Sequence, residues 1–508
     1  MVLQADSITR HAHQLKQPKG IFVLSFAEIW ERFGFYVVQA LLVRYLVHVR
    51  GFDDNHAYSL TSAFSALIYT TPIIGGILAD RLLGYRRAIV LGTVLYIAGY
   101  LGLLLDGTAS SWIASHTKGY VSEYTCFLAA LALLVAGNGF FKSCVSSLLG
   151  TLYEENDPRR DSGFTLFYIG INIGSFLGPI AASYALRHFG YGYGFGTAFV
   201  GMLICLLNCW LGFKQLNQHG LAPRPELLKR RILPLFSLEW LVYLAVIIGL
   251  VPIILLLNHT HLVEAGLLVF GAIVAILMFV GGFFYEKKMR SRLWVLLILM
   301  AFSTVFWALY MQVYLTIILF IDRVVDRHIF GYELPVSIFP GFIGLFIIVL
   351  SPLFILLWSH LSAAGKDLSR ATKFALAILL MGLAFLSLKF STFFPEANGA
   401  VSLFWVVLCL ILFTCGELCL SPIGLSMVTD LAPPKLSGAL IGVWFLILAI
   451  AYDLAGILAK TAVIPAGLTN KAAIAEIYST QFGLFAYGAL AIAVVLFILT
   501  PWLKRMLK

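Results

Sequence analysis

Apolar residues run in stretches of about twenty or more along nearly the whole chain, separated by short polar breaks. The runs lie near residues 21–46, 59–79, 88–106, 124–150, 163–186, 191–213, 238–257, 263–284, 294–321, 338–360, 372–392, 401–429, 437–459 and 480–503. A helix needs roughly 20 predominantly apolar residues to cross the hydrocarbon core of a bilayer. The pattern therefore predicts an all-α membrane protein with fourteen transmembrane helices. An even number puts both termini on one side. Most of the 35 Lys and Arg residues fall in loops on that side, so the positive-inside rule predicts cytoplasmic termini. The first run is too long and too charged for a cleaved signal peptide.

The longest connection, Lys214 to Arg231, holds Pro223, Pro225 and the basic run Lys229-Arg230-Arg231. It reads as a linker between two halves, and the two runs that follow it carry no charge at membrane depth. With those two set aside, a weak internal repeat emerges. The loop with Asp80, Arg81, Gly84, Arg86 and Arg87 is echoed by Gly365, Lys366 and Arg370. The loop Asp157-Pro158-Arg159-Arg160-Asp161 is echoed more faintly by Asp430 to Lys435. Two six-helix bundles with two extra helices between them are expected, the plan of internally repeated transporters with a site near the midplane. The divisions are 1–213, 214–292 and 293–508.

Charges inside the apolar runs change the picture from architecture to chemistry. Glu28, Glu31 and Arg32 stand at i, i+3 and i+4 of the first run, so all three project from one helical face. Each costs about 2.5–3.5 kcal/mol at the centre of a spanning helix. A flanking Leu, Ile, Phe or Val returns only about 0.3–0.6 kcal/mol. Such a triplet is kept at depth when it faces other protein or a water-filled path, and a substrate or ion site is the default reading. Lys142 follows Gly137-Asn138-Gly139-Phe140-Phe141, Glu417 sits in Cys415-Gly416-Glu417-Leu418-Cys419, and Asn172 interrupts the fifth run. Charges of mixed sign in both halves suggest a shared polar cavity. Arg32 and Lys142 opposite Glu417 suit a zwitterion, and the surplus carboxylates Glu28 and Glu31 are candidate proton carriers. Asp453 is a further buried charge with no assigned role.

Composition narrows the alternatives. A mean hydropathy of +0.93 and only 12% charged residues exclude an ordinary soluble protein. The net charge of +10 is explained by loop topology rather than nucleic-acid binding. Seven cysteines lie within apolar runs without metal-ligand spacing, and no His-Glu-x-x-His pattern occurs among the eleven histidines, which all fall in loops, termini or span ends. An enzyme would need a nucleophile and base, or metal ligands, at depth. No metal site and no cofactor is expected beyond a proton gradient as energy source.

Glu28-x-x-Glu31-Arg32-Phe33-x-Phe35-Tyr36 resembles the ExxERFxYY signature of the proton-dependent oligopeptide transporter family. The resemblance continues through Tyr69-Thr70-Thr71-Pro72, Gly75 to Gly84, the block from Gly137 to Ser175, Gly416-Glu417-Leu418, Ser421-Pro422-x-Gly424-Leu425 and Gly442-x-Trp444-Phe445-Leu446. It implies a major facilitator fold of the bacterial type, in the inner membrane, importing di- and tripeptides with protons by alternating access, and a monomer. It further implies that Glu28 and Glu31 couple protons together with Lys142 and Glu417. Arg32 and Lys142 would hold the peptide carboxylate, and Glu417 with Asn172 the amino terminus. Tyr36, Tyr69, Trp307, Gln312 and Trp444 would complete the substrate site, and Asp80, Arg81 and Arg86 would gate. Phe35 replaces the first tyrosine of the signature, and Met311 stands where many members carry glutamate. A relative moving a peptidomimetic drug, an amino acid conjugate or nitrate is the alternative, although nitrate would not need Glu417.

Overall fold

The computed structural model describes residues 16–117, 122–154, 157, 159–231, 237–396, 399–433 and 436–507. The polar amino-terminal stretch, Pro158 and Lys435 lie outside them.

Among the described residues fourteen long helices follow one another: α1 (Lys19–His48), α2 (Asp54–Leu78), α3 (Tyr85–Leu104), α4 (Glu123–Gly150), α5 (Arg160–Phe189), α6 (Tyr191–Gly212), α7 (Leu238–Asn258), α8 (Thr260–Gly281), α9 (Lys287–Tyr310), α10 (Phe339–Ala363), α11 (Arg370–Ser391), α12 (Leu403–Leu431), α13 (Ser437–Ala459) and α14 (Lys471–Leu507). Thirteen of them are long and apolar enough to cross a membrane. The remaining one is α1, where Glu28, Glu31 and Arg32 interrupt the apolar run. The fold is the all-α membrane architecture expected from the pattern.

Local chemistry sets several ends. Ser122 caps α4 by accepting from Thr125 N at 3.1 Å, and Ser369 caps α11 through Thr372 N at 3.2 Å. Such caps satisfy amides that the first helical turn leaves open. The run expected over 294–321 breaks at a 3-10 turn, Met311–Tyr314, before a short helix, Thr316–Val324. After α2 a π-helical turn, Ala79–Leu83, leads to Gly84 at φ 75°. A side chain at Gly84 would also meet the backbone of Ala222 at 2.5 Å, so both conformation and space demand glycine there.

The chain divides into two compact units, Met1–Leu41 with Thr70–Asn258, and Leu42–Tyr69 with His259–Lys508. In the first, α3 packs along α4 and α6, α5 lies beside α6, and α7 rests on α4. An added Cβ at Gly174 would meet Phe33 N at 2.9 Å and Arg32 Cβ at 3.0 Å, so glycine lets α5 approach the backbone of α1 where its charges sit. In the second, α11 packs against α12 and α14, while α9 and α8 both pack on α13. The inserted helices thus belong one to each unit. The second unit also carries two small pairings, Val325–Asp326 parallel to Val401–Ser402 and a hairpin of His328–Ile329 with Tyr332–Glu333.

Candidate functional site

The charges of α1 converge on a closed cluster in the first unit. Glu28 and Glu31 are fully buried, and Arg32 is nearly so. Arg32 grips Glu31 in two-pronged fashion, Nε to Oε2 at 2.5 Å and Nη2 to Oε1 at 2.6 Å, and its Nε lies 3.7 Å from Glu28 Oε1. Lys142 of α4 donates to Glu28 Oε1. Its side chain retains 22% exposure, so it is the member of the cluster that meets water. Two carboxylates and two cations cancel formally, which is how four ionisable groups can stay in a buried site. Among the described residues Glu28 Oε2 has no hydrogen-bond partner, leaving one acceptor open beside Lys142. The Arg32 guanidinium lies 4.5 Å from the centre of the Phe35 ring, so phenylalanine keeps a cation–π contact while offering no hydroxyl. Tyr36 packs edge-on against that ring and stays half-buried. Asn172, on α5, donates to Tyr168 O of its own helix at 3.0 Å.

The second unit buries Glu417 on α12, where Tyr310 donates to its Oε2 at 2.7 Å. Trp307 stands against Tyr310 with ring centroids 5.2 Å apart, and among the described residues its buried indole N–H has no partner. Trp444 is buried, and Gly424 leaves room for its ring. Tyr69 stacks on Tyr452 at 4.8 Å. Gln312 is fully buried in helix packing: its Nε2 donates to Ala455 O at 2.9 Å, and its Oε1 accepts from Thr316 at 3.0 Å. The neighbouring Met311 is buried as well.

The loop residues differ among themselves. Asp80 and Arg81 are exposed on the π-helical turn. Arg86 instead holds the chain after α6, donating to His219 O at 2.7 Å and Asn217 O at 2.5 Å. Asp157 accepts from Arg159 through Nε, Nη2 and the backbone N–H. Those bonds hold its carboxyl below the ordinary range. Arg159 also donates to Lys16 O at 2.9 Å, tying this loop to the segment before α1.

A comparison with known families decides what such a pair of clusters belongs to. The POT family model matches residues 86–474. The chain belongs to the POT family. The dipeptide and tripeptide permease A of Chromobacterium violaceum is 35% identical over 504 residues, covering 98% of this chain and 96% of that protein. A crystal structure of a peptide transporter POT, a glutamate-to-glutamine mutant in complex with alafosfalin, superposes with a TM-score of 0.80 at 31% identity, over 97% and 96% of the two chains. A POT family transporter in complex with 5-aminolevulinic acid gives 0.79 at 27%, over 96% and 97%. This POT-family chain is a multi-pass membrane transporter and not an enzyme.

Three partners of the POT-family clusters were not singled out by sequence reasoning. Tyr96 donates to Glu31 Oε1 at 2.7 Å, Asn138 donates to the Tyr96 oxygen at 2.9 Å, and Tyr310 holds Glu417. A signal for Asn138 existed: it lies four residues before Lys142 and so shares its helical face. Tyr310 likewise follows Trp307 by three. Tyr96 carries no such spacing within α3.

Proposed function

We propose that the chain is a proton-coupled symporter that imports di- and tripeptides by alternating access. The carrying observation is the buried pairing of Glu28 with Lys142 and of Glu31 with Arg32. Both cations are occupied by protein carboxylates, so a peptide carboxylate has to compete for them. A proton on Glu28 neutralises its charge and releases Lys142, and a proton on Glu31 weakens its hold on Arg32. Uptake of proton and of peptide carboxylate are then linked, because each favours the other by the same free energy. Lys142, the most water-accessible of the four, receives the carboxylate first, and Arg32 completes a bidentate site.

Glu417 takes the peptide amino terminus in this reading, with Tyr310 holding the carboxylate in position and Asn172 assisting. Tyr36, Tyr69, Trp307 and Trp444 line side-chain pockets. Gln312 shapes the break after α9, and Glu417 joins Glu28, Glu31 and Lys142 in proton coupling. Exposed Asp80 and Arg81 are the gating residues, and Arg86 positions their loop. The protein works in the bacterial inner membrane as a monomer with both termini cytoplasmic. Its parts are a first bundle over 1–213, a linker with two helices over 214–292 and a second bundle over 293–508. Support for the substrate comes from the dipeptide and tripeptide permeases it resembles. A second reading is a small amino acid-like zwitterion, favoured by the similar transporter that binds 5-aminolevulinic acid.

Uptake of labelled Ala-Ala into liposomes under an imposed inward proton gradient tests the proposal. Accumulation above empty liposomes, abolished by a protonophore, is the expected result. No uptake, together with failure of a dipeptide panel to displace bound label, overturns it. Displacement by 5-aminolevulinic acid but by no dipeptide selects the second reading.

A further inference from the structure

Asp453 is the one charged residue of α13, and it is almost fully buried. Among the described residues, neither of its carboxylate oxygens has a hydrogen-bond partner. Its position along α13 explains what surrounds it. Residues 446, 450, 453, 457 and 460 recur at steps of four, three, four and three, so they share one face. That face meets the inserted helix α8. Near one contact, a Cβ added to Gly271 would come within 2.5 Å of Ile450. At the other, Lys460, in the turn that follows α13, donates to Glu264 Oε1 at 2.6 Å. Asp453 lies between these points. The stretch of α8 between them, Ala265 to Phe270, has no polar side chain.

Among the described residues, the other elements around α13 supply no counter-charge. From α2 come Tyr58 and Tyr69, the latter stacked on Tyr452, and Ser62, against which Gly456 packs. From α9 and the turn after it come Tyr310, already spent on Glu417 of α12, and Gln312, spent on Ala455 O. Among the described residues, the charges on this seam are Glu264 and Lys460, paired with each other. Seven residues separate Asp453 from Lys460, about 10 Å along a helix. That pair is partly exposed, 23% for Glu264 and 27% for Lys460, so it meets water where Asp453 does not.

An ionised carboxylate buried with no hydrogen bond is far more costly than a neutral acid in the same place. A buried ionisable residue in a membrane helix is a functional candidate by default. We propose that Asp453 is a proton-binding site of the second unit, filled and emptied past the Glu264–Lys460 pair at the seam between α13 and the inserted helix α8. The chemistry is a proton added to a carboxylate and later returned to water. The pair sets the occupancy: the ammonium favours the ionised form and Glu264 opposes it. This assigns the inserted helix a part in proton linkage, and it rests on the proton-coupled reading only for its consequence in transport, not for the site itself.

Infrared difference spectra of the full chain in lipid, recorded across a pH series, test the site directly. Wild type should show a protonated-carboxyl band that Asp453→Asn removes. Glu264→Gln and Lys460→Met should displace the pH at which it appears in opposite senses. The expected size is about one pH unit, from a Coulomb interaction across ~10 Å at an effective dielectric of about 20. Superimposable spectra of wild type and Asp453→Asn overturn the proposal. So does the absence of any displacement in both pair variants, which keeps the test valid where Asp453→Asn fails to fold. If the band behaves as expected but wild type accumulates no Ala-Ala in liposomes, the site stands and the transport reading falls.

Discussion

Tyr96 donates its hydroxyl to Glu31 across 2.7 Å, and Asn138 donates in turn to the Tyr96 oxygen at 2.9 Å. The Glu31 oxygen that accepts from Arg32 Nη2 is therefore also anchored by a neutral chain from α3 and α4. A hydrogen bond to a charged acceptor contributes about 1.5–3 kcal/mol. Tyr96→Phe should therefore lower the melting temperature of the purified protein by a few degrees and move the pH profile of peptide exchange. A variant that matches wild type in both measurements would remove Tyr96 from the proton-linked cluster.

Glu28 and Glu31 make different bonds, so their glutamine variants should differ. Glu28→Gln frees Lys142 permanently, whereas Glu31→Gln breaks a two-pronged salt bridge with Arg32. Both should lose gradient-driven accumulation of labelled Ala-Ala. Counterflow exchange should survive in Glu28→Gln. In Glu31→Gln it should fall further, because Arg32 is left buried with its main partner uncharged, a loss of the kind that costs about 3–5 kcal/mol. Accumulation that persists in both variants would show that neither carboxylate couples protons.

Gly174 sets how closely α5 lies on the charged turn of α1. A methyl group there would press on the Ile29 carbonyl and lie 2.9 Å from Phe33 N and 3.0 Å from Arg32 Cβ. Backbone cannot yield as a side-chain tip can, and overpacking of this kind costs about 1–3 kcal/mol. Gly174→Ala should reduce uptake at least several-fold and lower thermal stability. Gly488, with nothing within 4 Å, is the matched control, and Gly488→Ala should be neutral or slightly stabilising. Equal behaviour of the two variants in uptake and melting would mean that the α1–α5 approach does not position the cluster.

The helices were legible because twenty-residue apolar runs have few alternative interpretations, and the Glu28, Glu31, Arg32 cluster because i, i+3, i+4 spacing is a property of one helix. What lies across helices was much less legible. Nothing within α3 says that Tyr96 rather than Tyr100 reaches Glu31. The run over 294–321 gave no sign that the helix would break at Met311, since Gln312 stabilises that break through Ala455, 143 residues away. Boundaries drifted for a related reason. α14 begins at Lys471 rather than near 480 because its first turns, with Ile474, Ala475 and Tyr478 buried among polar neighbours, pack against protein. An amphipathic start of this kind falls below an apolar-run criterion while still forming helix.

Within the second unit Asp54 receives two bonds from Arg323, at 2.6 and 2.7 Å, and a third from the backbone of Ile464 at 3.2 Å. Tyr478 accepts from the same guanidinium at 3.1 Å. Asp54 is nearly buried and Arg323 only 19% exposed, so neither charge is well solvated once its partner is gone. Each single variant, Asp54→Asn or Arg323→Gln, should cost about 3–5 kcal/mol. The double variant should cost clearly less than the sum, because it leaves no lone buried charge. Additive losses in a thermal or denaturant double-mutant cycle would show that the two residues act independently.

Glu417 accepts from the phenol of Tyr310, as Glu31 does from Tyr96, but differs from the α1 carboxylates in having no cation bonded to it among the described residues. Its charge is therefore not cancelled by a protein cation and can be offered to a ligand ammonium. Glu417→Gln keeps an oxygen for the Tyr310 hydroxyl and removes only the charge. Losing one charge-assisted bond of about 1.5–3 kcal/mol weakens Ala-Ala binding roughly 10- to 100-fold. N-acetyl-Ala-Ala, which has no ammonium, should compete equally with wild type and variant. That contrast separates recognition of the amino terminus from damage to the fold, since a distorted cavity weakens both ligands together. Parallel loss of the two competitors would take Glu417 out of the amino-terminal pocket and leave it a proton site alone.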